Sequence, residues 1–149
     1  MQSRSDEGVT FETRADPVLC KNLTDGLQAF NASHLPQEVE AQPLQIYAKT
    51  ASGDLVGGIV AKTIWEWLEI SVLWVEDSLR GHGLGSELLR RAETEAIQRG
   101  CRYARLSTWD FQALDFYQRH AYISYGRLDD YPEGHTVHYL RRDLGDAEA

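Results

Sequence analysis

One stretch constrains this chain more than any other. Residues 68–75 are apolar and rich in Ile, Val and Trp, residues 76–79 form a polar break, and residues 80–86 carry three glycines. From Leu84 the period changes: Leu84, Leu88, Leu89, Ala92 and Ala96 share one helical face, and Glu87, Arg90, Arg91, Glu93 and Arg99 lie off it. The stretch reads as strand, tight loop, helix. A helix start with bare amides and the positive end of its dipole is an anion site. Gly81, Gly83 and Gly85 leave that backbone open, and Arg80 and Ser86 add a cation and a hydroxyl. A phosphate-bearing ligand is therefore expected at residues 80–86.

Two familiar phosphate loops do not fit. A dinucleotide fingerprint needs Gly or Ala where Ser86 stands, and an acidic residue about 20 positions on. A nucleoside-triphosphate loop needs a Lys that does not follow Gly85. The rest of the chain supplies context. Its 149 residues suggest a single domain, with residues 1–8 and 145–149 as loose ends. The N-terminal residues lack the apolar core of a signal peptide, and no apolar run reaches membrane-spanning length. A formal charge of −8 argues against nonspecific nucleic-acid binding and hints weakly at a cationic partner. Cys20 and Cys101 have no metal-ligand spacing; they read as free thiols in a reducing compartment, although two cysteines could pair. A cytoplasmic protein without metal is expected.

Taken in order, residues 9–13 alternate as a first strand, and Asp16-Pro17 starts a helix through Leu19, Leu23, Leu27 and Phe30. Residues 31–43 read as a loop or a short broken helix. Strands follow at 44–48 and 55–61, joined by a turn, with Gly57-Gly58 marking a bulge or a close neighbour. After the central strand and its helix, which Gly100 ends, come a strand at 103–109 and a short helix capped by Asp110. Two strands at 122–126 and 136–140 close the chain. The order β-α-β-β-β-α-β-α-β-β mixes hairpins with one crossover, so the class is α+β with a mixed, mostly antiparallel sheet flanked by helices.

Arg80-x-x-Gly83-x-Gly85 resembles the acetyl-CoA pyrophosphate loop of the GCN5-related N-acetyltransferase (GNAT) superfamily, and the element order is that superfamily's order from Val9 onward. Asp110-x-x-Ala113-x-x-Phe116-Tyr117 resembles its Asn-x-x-Ala-x-x-Phe-Tyr helix, with Asp110 in place of Asn and Ala121 where a Gly usually follows. The run 130–135 is similar to a bacterial subgroup. The resemblance implies a splayed central strand pair with acetyl-CoA in the gap. It implies cofactor contacts from Leu73, Trp74 and Val75, from Arg80, Gly81, His82, Gly83, Leu84, Gly85 and Ser86, and from Asp110, Ala113, Phe116 and Tyr117. The oxyanion would meet the backbone N–H of Trp74 or Val75, and Tyr117 would protonate the leaving thiolate. Glu69 is the first choice of base, directly or through water. Trp65, Trp67 and His135 are weaker candidates for the acceptor pocket. The expected reaction is direct transfer of acetyl to a primary amine of a small molecule in a ternary complex. A protein or peptide acceptor, a non-catalytic acetyl-CoA sensor and a homodimer stay open.

Overall fold

The computed structural model describes residues 8–35 and 40–145. It divides into two compact units, Met1–Glu38 and Val39–Ala149. The first unit contains α1 (Pro17–Ala32), capped by Asp16, whose carboxylate accepts from the N–H groups of Val18 and Leu19 at 3.0 Å. Pro17 opens the helix as expected, and no residue of α1 is buried. Residues 9–13 form no strand. Their alternation suits a pleated ribbon, but a strand exists only where its backbone groups find a ladder partner, and among the described residues these find none. Both expected tails lie outside the described residues except Gly8 and Gly145, as do residues 36–39 of the expected loop.

The second unit is a six-stranded sheet in the order β1-β2-β3-β4-β6-β5. The strands are β1 (Gln42–Lys49), β2 (Leu55–Ile64), β3 (Trp67–Val75), β4 (Tyr103–Trp109), β5 (Ile123–Leu128) and β6 (Val137–Asp143). Two helices belong to it: α2 (Leu84–Gln98) and the short α3 (Leu114–Arg119). All strand pairs are antiparallel except β3 with β4, which is the crossover through α2. The α+β class and the mixed, mostly antiparallel sheet hold.

The face of α2 read from periodicity is the buried one: Leu88, Leu89, Ala92 and Ala96 are all at most 2% exposed and join Ile59, Leu68, Ala104 and Leu140 in the core. Each buried leucine contributes roughly 1.5–3 kcal/mol. The same helix buries Glu93, whose carboxylate accepts from Arg142 at 2.7 Å and from the Tyr122 hydroxyl at 3.0 Å. This pins α2 to β6 beneath the sheet, and burial together with the Glu93 charge pushes the Tyr122 phenol well up. Gly57-Gly58 marks a close approach: a Cβ on Gly57 would lie 3.0 Å from the Trp74 carbonyl, and one on Gly58 2.9 Å from that of Ile46. A bulge also lies beside it, where Ala48 partners Gly57 and Lys49 partners Leu55 so that Val56 is the extra residue, and β3 carries another. Val60 partners Val72 and Ala61 partners Ile70, so Ser71 is the extra residue, and its hydroxyl donates to the Val60 carbonyl at 3.1 Å.

Candidate active site at the splay of the central strands

Strands β3 and β4 pair over only three rungs, Trp67↔Tyr103 to Glu69↔Arg105. Beyond them β3 runs on to Val75 and β4 to Trp109 without pairing to each other. A strand left without its neighbour must turn its polar backbone groups to something else. The Glu76 N–H donates to the Val56 carbonyl at 2.9 Å, which makes Val56 and Glu76 a hydrogen-bonded pair. In an antiparallel ladder such pairs alternate, so Trp74 and Val72 face β2 while Leu73 and Val75 turn their N–H and C=O groups into the gap. Of the two amides expected to meet an oxyanion, that of Val75 turns into the gap and that of Trp74 faces β2.

The gap leads into the turn before α2. The first helical hydrogen bond runs from the Glu87 N–H to the Gly83 carbonyl at 3.0 Å, so the amides of Leu84, Gly85 and Ser86 have no intrahelical partner. Gly81 and Gly83 sit at φ +81° and +83°, where an L side chain is strained, and a Cβ on either would meet no atom within 4 Å. Arg80 is held beside this turn by the Val75 carbonyl at 3.1 Å and Asp77 at 2.8 Å. Glu87, the one carboxylate in the first helical turn, would repel an anion. Hydrogen bonds from Arg90 and then Arg91 engage it and hold it below the usual carboxylate range.

Splay and turn line one cleft of about 860 Å3. Leu73, Trp74, Val75, Arg80, Gly81, Gly83, Leu84, Gly85 and Ser86 line it, as do Ala113, Phe116 and Tyr117 from the start and body of α3. His82 and Asp110 do not. Asp110 does not cap α3 either, because the helix begins at Leu114 with Ala113 as its cap. Its carboxylate instead accepts from the Thr136 N–H at 3.2 Å and lies 3.1 Å from His135 Nδ1, tying the end of β4 to the β5–β6 loop. Partial burial opposes ionisation of Asp110, but these partners outweigh it and hold the carboxyl below its usual range. Having given its ring nitrogen to Asp110 and packed edge-on against Phe111, His135 does not line the cleft.

Gln112, two residues on from Asp110, does line the cleft. Its Oε1 accepts from the Trp109 N–H at 2.9 Å and from Thr108 Oγ1 at 3.3 Å, which fixes the amide orientation and leaves Nε2 to the cleft that Gln112 lines. Arg119 also lines the cleft. Sequence reading missed both; an amide two places past the motif position and a basic residue two after the tyrosine were the available signals.

Tyr117 is 6% exposed, and burial raises its phenol to about 12. Glu69 does not stand free as a base. Its Oε1 accepts from Arg105 Nη2 at 2.9 Å and Nε at 3.2 Å, and its Oε2 lies 3.5 Å from Lys62. Trp65 and Trp67 are at the opposite end of β3 from the glycine turn. Trp65 and Glu66 form the two-residue hairpin tip, both at positive φ, and Trp67 packs on Tyr103 at 4.9 Å under the Arg141 guanidinium. Neither tryptophan lines the cleft.

Ala121 holds the left-handed turn after α3, at φ +68°. The Tyr122 N–H closes that turn on the Tyr117 carbonyl at 3.0 Å. A Cβ there costs roughly 1–2 kcal/mol, partly offset because alanine restrains the unfolded chain more than glycine. Ala121→Gly is expected to stabilise the protein by roughly 0.5–1 kcal/mol in urea unfolding. A lower midpoint would show the turn to be unstrained.

Comparison with known proteins agrees with this geometry. Residues 15–122 match the model of the acetyltransferase (GNAT) family. The chain is 46% identical over 110 residues to blasticidin-S acetyltransferase of Streptomyces morookaense, covering 71% of this chain and 81% of that relative. It is 31% identical over 128 residues to an acetyltransferase of Agrobacterium fabrum, covering 86% and 93%. The crystal structure of an acetyltransferase from Bacillus cereus ATCC 14579 superposes with a TM-score of 0.85 at 30% identity, covering 90% of this chain and 97% of that one. The amide-lined turn and the splay above it are thus met on the fold where relatives transfer acetyl groups, and the chain belongs to the GNAT family as an N-acetyltransferase.

Proposed function

We propose that the protein transfers acetyl from acetyl-CoA to a primary amine of a small molecule, by direct attack in a ternary complex, and that the chain works as one acetyltransferase domain. The observation that carries this reading is the run of unpaired amides from Leu73 and Val75 to the start of α2, ending beside a buried phenol. A diphosphate suits the amides of residues 84–86 with Arg80 and Arg119 beside them, and a pantetheine arm suits the open edge of β3. The reactive carbonyl then lies near the Val75 N–H, a fixed donor for an oxyanion.

The neutral amine's nitrogen bonds to the acetyl carbon, the carbon–sulfur bond breaks, the sulfur takes the Tyr117 proton, and the proton that the nitrogen then sheds returns through water to Tyr117. An alkyl amine with a pKa near 10.4 is about one part in a thousand neutral at pH 7, a handicap of roughly 4–5 kcal/mol. With both Glu69 oxygens engaged, the amine proton leaves through water. No cysteine lines the cleft, and Cys101 is buried with its thiol pushed up by desolvation, so an acetyl-cysteine intermediate has no candidate there. The relative named for blasticidin S directs the acceptor towards small molecules.

A panel of small amines including blasticidin S, with peptides alongside, tests the reading through free-thiol release. Expected are release with small amines and intersecting initial-velocity lines. Parallel lines would exclude the ternary complex, and release with peptides alone would overturn the acceptor class.

A further inference from the structure

The last rung before the splay carries a line of charges across four strands. Lys62 is the register partner of Glu69, Glu69 of Arg105, and Arg105 of Arg141. Three cations face one carboxylate, so the row is net positive in a chain of formal charge −8. Glu69 is shared between Lys62 and Arg105. Among the described residues Arg141 has no carboxylate partner; its guanidinium lies 5.1 Å from the Trp67 ring centre and 5.7 Å from that of Tyr103. Like charges directly opposite on neighbouring strands repel, so Arg105 beside Arg141 is a cost that an anion would relieve.

Lys62, Glu69 and Arg105 line a second cavity of about 580 Å3, together with the hydroxyl-bearing Tyr125 and Tyr139. Ser71 and Ser107 line both this cavity and the larger cleft. A molecule here therefore reaches the strand gap from the side away from the glycine turn. Arg105 spends Nε and Nη2 on Glu69, leaving Nη1 to a ligand, and the Lys62 ammonium stands across Glu69 from it, 3.5 Å from Oε2.

On the reading that the larger cleft holds acetyl-CoA, we infer that this second cavity is the acceptor pocket and that it takes an amine that also bears a carboxylate. The carboxylate docks on Arg105 and Lys62, and the amine is left towards Ser71 and Ser107, where the gap opens. Glu69 then positions the two cations. The overall acidity of the chain, which hints at a cationic partner, is reversed locally at this row.

Matched pairs test this: 3-aminopropanoate, 4-aminobutanoate and 6-aminohexanoate, each against its carboxamide, with acetyl-CoA and thiol detection. The expected result is a KM about tenfold lower for the carboxylate member of a pair, in line with one charge-assisted contact. In Arg105→Gln that preference disappears with kcat changed less than KM, and Arg105→Lys restores part of it. Arg105 is half exposed, so the fold should tolerate both changes; circular dichroism checks this. Equal KM values, a preference for the carboxamides, or an Arg105→Gln enzyme that keeps the preference would overturn the inference. Thiol release with other amines but with no pair would do the same while leaving acetyl transfer intact. No release with any amine would overturn both.

Discussion

Gly83→Trp is expected to raise the dissociation constant for acetyl-CoA at least about 100-fold, ~2.7 kcal/mol, while the fold survives. Gly83 is the N-cap of α2 in the left-handed region, at φ +83°. A Cβ built on it meets nothing within 4 Å, so an added side chain grows into open space beside the amides of residues 84–86. That is the space in which a diphosphate would have to approach the backbone, and an indole would fill it. The backbone penalty for a non-glycine residue there is about 1 kcal/mol, a fraction of the 5–15 kcal/mol typical of a domain. Gly53→Trp is the matched control. It also sits at positive φ, with no atom within 4 Å of its Cβ, but in the turn between β1 and β2. Isothermal titration should find the affinity lost in the first variant and kept in the second, with both melting cooperatively. Undiminished binding by Gly83→Trp would remove the phosphate site from this turn.

The glycine turn was legible because strand and helix periods meet at it within a few residues, and the unpaired amides at the helix start follow from that local chemistry alone. The buried face of α2 was legible for the same reason. Features that depend on pairing between distant strands were not. Residues 9–13 alternate like a strand but pair with none of the described residues. Asp110 looks like a helix cap until the β5–β6 loop brings the Thr136 amide to it and α3 starts four residues later. Glu69 looks like a free carboxylate on a strand until register places Lys62 on one side of it and Arg105 on the other. Choosing Val75 over Trp74 needed the phase of the β2–β3 ladder, which the extra residue at Ser71 hides from any count along the chain. Trp65 and Trp67 carry no positional signal of their own, and the hairpin tip that Trp65 forms and Trp67 follows lies at the end of β3 away from the glycine turn.

Tyr117→Phe should leave acetyl-CoA affinity unchanged and lower kcat at least about tenfold, ~1.4 kcal/mol of barrier. The substitution removes one oxygen and keeps the ring, which packs edge-on against Phe116 at 5.1 Å and Tyr122 at 5.6 Å, so packing and stability should persist. None of the hydrogen bonds among the described residues uses the Tyr117 hydroxyl, which leaves it to a ligand in the cleft that the residue lines. Burial raises the phenol to about 12. The sign of that shift matters. An acid with a higher pKa keeps its proton to higher pH, so the donor stays loaded throughout the neutral range and is lost only near pH 12. Giving the proton to a solvated thiolate, whose acid is near 8.5, would run uphill by about 5 kcal/mol. Inside the same dry cleft the thiolate is destabilised by the same loss of water, so the two acidities move together and transfer over one hydrogen bond becomes feasible. The native enzyme should accordingly show no alkaline fall in kcat up to about pH 10 that belongs to this residue. A kcat unchanged in Tyr117→Phe at saturating substrates, or a falling limb near pH 9 that vanishes in the variant, would contradict a buried phenol as the proton donor.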